Sequence, residues 1–65
     1  MSNYSLVRPK QAATKAGISI SHLYYLVAEG EFPQPIKISD RISAFIESEI
    51  DEWIEGKITT SREQL

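Results

Sequence analysis

The side chains able to do chemistry in this 65-residue chain gather in one short stretch. Ser19, Ser21, His22 and Tyr25 lie within seven positions, and each can hydrogen-bond while neutral. Serine donates or accepts at either base type, and a helix starting after Ser19 would offer free N–H groups to a phosphate. Cations flank the stretch in sequence, with Arg8, Lys10 and Lys15 before it and Lys37 and Arg41 after it. No carboxylate side chain occurs before Glu29. That pattern suits a surface for nucleic acid, since any Asp or Glu on it would repel phosphates.

Other chemistry finds little support. One histidine beside serines makes no triad without an orienting acid, and no Gly-rich phosphate loop is present, so no catalytic residue is expected. The chain has no cysteine. A zinc site would leave His22 with three carboxylate or water ligands, so no metal or cofactor is expected either. Glu47, Asp51 and Glu55 are spaced i, i+4, i+8, where like charges on one helical face repel by about 0.2–0.5 kcal/mol per pair. The first expectation for them is a solvated face, and the second is contact with a basic protein. No apolar run approaches the ~20 residues of a membrane span, and no signal peptide is seen.

These residues need elements to position them. Pro9 fits the first turn of a helix, where its missing N–H is no loss, and helix 1 is expected over Pro9–Ala16. Its inner stripe is Ala12, Ala13 and Ala16, small enough for close approach of a second helix. Gly17 stops it, Ser19 caps helix 2, and Leu23, Leu26 and Val27 give the buried face of helix 2 up to about Glu29. Ser21, Tyr25 and Ala28 fall opposite, His22 flanks them, and Tyr24 is expected half-buried against a wing. Ile20 lies on the inner flank.

Phe32-Pro33-Gln34-Pro35 must be extended. Ile36–Ile38 and Ile42–Phe45 then read as a short hairpin, the wing, with Arg41 at its tip. Leu6-Val7 could add a brief strand. Helix 3 begins near Glu47 or Ser48, buries Ile50, Trp53 and Ile54, and is expected to close at Gly56, with a polar tail or short helical extension beyond. Met1–Ser5 reads as a frayed start.

The formal charge of −2 is unevenly placed. Residues 1–45 carry +2 and residues 46–65 carry −4. The first part should therefore hold local positive potential, with Arg8, Lys10 and Lys15 setting the field and Lys37 and Arg41 reaching phosphate or minor groove. A chain this short buries only about 60% of its unfolded surface, so one domain is expected.

Several ordered motifs resemble the AlpA family. They are Leu23-Tyr24, Glu29 to Pro35, Ile36-Lys37-Ile38, Arg41, Ala44-Phe45 and Glu47 to Ile54. The resemblance covers about residues 6–55. It implies a MerR-like winged helix-turn-helix, a prophage or genomic-island regulator related to excisionases, with helix 2 as recognition helix and Arg41 as wing arginine. Family members often carry basic residues where this chain has Ile20 and Tyr25.

The expectation is thus a mainly α winged helix-turn-helix of three helices with a small β-hairpin, a single domain ordered over about 6–56. Double-stranded DNA at an attachment site or promoter is the expected partner, with integrase and further copies on repeated sites as protein partners. The expected place of action is the bacterial cytoplasm, on the nucleoid and not the membrane. The alternative is a small adaptor that docks a basic protein through acidic helix 3.

Overall fold

A computed structural model describes residues 4–63. Met1–Asn3 of the start and Gln64–Leu65 of the tail lie outside the described residues. The element order is β1 (Leu6–Val7), α1 (Pro9–Ala16), α2 (Ile20–Ala28), β2 (Ile36–Ser39), β3 (Ile42–Ile46) and α3 (Glu47–Glu63). The strands form one antiparallel sheet in the order β1-β3-β2.

Local chemistry sets the helix ends. Pro9 opens α1 after an extended Arg8, whose N–H donates to Gln11 Oε1 at 3.1 Å. Gly17 closes α1 at φ 74°, and the amides of Gly17 and Ile18 donate to the carbonyls of Thr14 and Ala13. Those two bonds satisfy carbonyls that the helix itself leaves open. Gly30 repeats the device at φ 73°, with its own and Glu31's amides donating to Val27 and Leu26. Ser19 caps α2, its Oγ accepting from the His22 N–H at 3.1 Å.

The core joins every layer: Ala12 and Ala13 from α1, Leu23 from α2, Phe32, Phe45 from β3 and Ile50 from α3. The two alanines let α1 and α2 approach closely. Phe32 is buried although it belongs to no helix or strand. Its ring meets Phe45 edge-on at 5.6 Å and lies 4.8 Å from Trp53. The chain on either side is fastened. Trp53 Nε1 donates to the Glu31 carbonyl at 2.7 Å, and Gln34 Nε2 donates to those of Val27 and Phe32.

Three expectations are corrected. Helix α3 does not close at Gly56 but continues to Glu63. Gly56 lacks the positive φ of Gly17 and Gly30, no proline follows, and Lys57 stacks over the Trp53 ring at 5.5 Å. A mid-helix glycine costs only about 1 kcal/mol, which by itself does not end a helix. Tyr24 is not half-buried but 53% exposed. Ile20 is likewise exposed rather than packed on the inner flank.

Candidate nucleic-acid interface

Helix α2 buries Leu23, half-buries Leu26 and Val27, and turns Ser21, His22 and Tyr25 to solvent. The His22 and Tyr25 rings, one turn apart, stack with centroids 5.8 Å apart at 30°. Stacking holds the two flat side chains as one block on the exposed face. Ser19 serves that face indirectly, since its hydroxyl is spent on the cap.

The hairpin places its cations by ladder geometry. Residues opposite one another in an antiparallel pair share a face, and neighbours along a strand alternate. Lys37 is opposite Ser43, which shares its face with Phe45, and Phe45 reaches the core with Leu23 of α2. Lys37 therefore projects from the side of the sheet that carries α2. Arg41 sits in the two-residue loop between Ser39 and Ile42. No non-glycine residue among those described has positive φ, so this loop lacks the backbone of the commonest tight hairpin turns. A register shift between Lys37 and Ser39 absorbs the mismatch.

The five expected cations separate into two groups. Among the described residues, ion pairs form only at Lys15, whose Nζ lies 3.0 Å from both Glu47 and Asp51. Lys15 does have acids nearby, contrary to the expectation of an acid-free field. The reason is tertiary: α1 lies beside the start of α3, where i, i+4 carboxylates bracket one ammonium. Its pKa is raised by the hydrogen bonds to Asp51 and then Glu47. The acidic stripe stays exposed at Asp51 and Glu55, and Glu47 and Asp51 share this contact with Lys15. Arg8 is partly committed, with Nε donating to the Ser43 carbonyl at 3.1 Å and tying the start of α1 to the hairpin. Lys10, Lys37 and Arg41 have no ion-pair partner among the described residues, and Arg41 is not paired to the adjacent Asp40.

An exposed second helix set by a capped glycine turn, with a β-hairpin beside it, defines a winged helix-turn-helix protein. The family model of the prophage CP4-57 regulatory protein AlpA matches residues 5–58, and the chain belongs to that family of prophage regulatory proteins. It is also 36% identical over 42 residues to the uncharacterized protein ORF88 of Enterobacteria phage P4, covering 65% of this chain and 48% of that one. The chain thus spans about half the length of this curated relative. No solved structure matches it. No helix among the described residues is long and apolar enough to cross a membrane.

Proposed function

We propose that this protein binds double-stranded DNA of a phage or integrated element in a sequence-specific manner. The observation that carries the reading is the outward face of α2, where Ser21 and the stacked His22–Tyr25 pair are exposed and the one carboxylate, Glu29, stands at the C-terminal end of the helix. In this reading α2 enters the major groove, while Lys37 and Arg41 of the hairpin touch backbone or minor groove. Lys10 adds a phosphate contact and Arg8 steadies the hairpin. The base contacts come from neutral side chains, so cations outside α2 supply the affinity and α2 supplies the choice of site.

Membership of a prophage regulatory family supports two roles. One is a recombination directionality factor acting at the attachment site, and the other is a transcriptional regulator of the integrase region. Either works without catalysis, in the bacterial cytoplasm on the nucleoid. Integrase and a further copy on a repeated site are the protein partners in this reading. The adaptor reading is weaker, because Lys15 already holds Glu47 and Asp51, two of the three stripe carboxylates.

Fluorescence anisotropy on the element's own attachment and promoter duplexes, across a salt series, tests the reading. With phosphates neutralised by Lys10, Lys37 and Arg41, log K should fall against log[salt] with a slope of about −3 per copy. Affinity indifferent to salt, or equal for random duplex, overturns it. A footprint across the attachment region, with and without integrase, separates the two roles.

A further inference from the structure

The core uses one face of the sheet, and the other stays open. Val7 opposite Phe45 and Lys37 opposite Ser43 lie on the helix side. Leu6 opposite Ile46 and Ile36 opposite Ala44 lie on the outer side, together with Ile42 two residues before Ala44. None of these five outer residues belongs to the core cluster. Leu6 is 46% exposed, Ile36 40% and Ile42 38%, while Ala44 is buried and Ile46 half-buried. Aliphatic side chains thus cross all three strands on the solvent side. Arg8, extended after Val7, shares that face by alternation, at the β1 rim.

We infer that this outer face docks a second copy of the chain, sheet on sheet. The strand edges offer little to partners, since Pro35, Lys37 and the register shift blunt β2 against strand addition and β1 is two residues long with Pro9 close behind. An aliphatic face with Arg8 alone for charge offers little to DNA phosphates. The two ends of β3 also carry opposite charge. Around the hairpin tip, Arg8, Lys37, Asp40 and Arg41 give +2, whereas Lys10, Lys15, Glu47, Glu49 and Asp51 around the other end give −1. Two copies stacked with their β3 strands antiparallel set each tip against the other's acidic end. A face of this kind comes to a few hundred Å² per copy, below the about 800 Å² of a standard interface. The dimer is therefore weak, formed at high concentration or on adjacent sites. It is a property of the free protein and does not rest on the DNA reading.

Sedimentation equilibrium of the DNA-free full chain, from about 20 µM to about 1 mM at low salt, tests this. The weight-average mass should rise from the 7.4 kDa monomer toward twice that value, and less so at high salt. A chain carrying both Ile36→Thr and Ile42→Thr should stay monomeric throughout. Threonine keeps strand propensity and both positions lie outside the core, so circular dichroism should show the fold retained. Independently of any variant, diluting the wild-type chain should move the methyl NMR signals of Leu6, Ile36, Ile42 and Ile46 and leave Leu23 and Ile50 still. A monomer at every concentration overturns the inference, as does a dimer whose outer-face methyls do not move. If DNA binding persists in either case, the inference fails alone.

Discussion

The indole Nε1 of Trp53 donates to the backbone carbonyl of Glu31 at 2.7 Å, joining α3 to the turn that ends α2. The same ring lies 4.8 Å from Phe32, so one side chain fastens both the polar backbone and the apolar ring of that segment. Trp53→Phe keeps an aromatic ring and removes the donor, and should cost about 1 kcal/mol in urea unfolding. Trp53→Ala also opens space beside Phe32 and should cost about 2–4 kcal/mol. Equal stability of Trp53→Phe and wild type would show that the bond contributes nothing.

The glycines predict opposite signs. Gly56 lies within α3 with open space where a Cβ would stand, so Gly56→Ala should stabilise by about 0.5–1 kcal/mol. Gly17 has as much room but sits at φ 74°, where Gly17→Ala should destabilise by about 1 kcal/mol. Thermal melts of the two variants should move in opposite directions. A fall in Tm for Gly56→Ala would mean that α3 does not run through this position.

Lys15 makes stability depend on alkaline pH. Its pKa is raised above 10.5, by Asp51 first and Glu47 second. A lysine so shifted stabilises the fold fully below its unfolded pKa and loses that contribution as pH rises through the higher folded pKa. The stability difference between wild type and Lys15→Gln should therefore persist at neutral pH and shrink above about pH 10.5. Added salt should shrink it too, since the pair is partly exposed. A difference that stays constant across this range would show that the contacts are not ionic.

On DNA, the free and committed cations should behave differently. Lys37→Met should reduce the salt slope by about 1, and Lys15→Met should leave it unchanged. Arg41→Ala should weaken binding to all duplexes alike, whereas Tyr25→Ala should change the preference among sites. Anisotropy titrations on specific and random duplexes read both effects. If neither Arg41→Ala nor Tyr25→Ala alters binding, the assignment of wing and reading helix is wrong.

Most of the helix-turn-helix was legible because its determinants are local. Pro9 at a helix start, Ser19 as a cap and Gly17 and Gly30 as stops act within a few residues of themselves. Periodicity marked Leu23 and Ile50 as buried, and alternation marked the hairpin. Phe32 carried no such signal. A single aromatic beside two prolines has no period, and its burial depends on Phe45 and Trp53 arriving from elsewhere in the chain.

The sequence alone determined the order of elements, the exposed face of α2 and the division of charge, because each depends on neighbours along the chain. Tertiary structure alone decided which charges are free. Lys15 meets Glu47 and Asp51, 32 and 36 positions further on, only because α1 lies against α3. It also decided the fate of the alternating isoleucines. Alternation establishes two faces without saying which is inside, and helices cover one side of this small sheet. Phe45 went inward, and Ile36 and Ile42 were left in water.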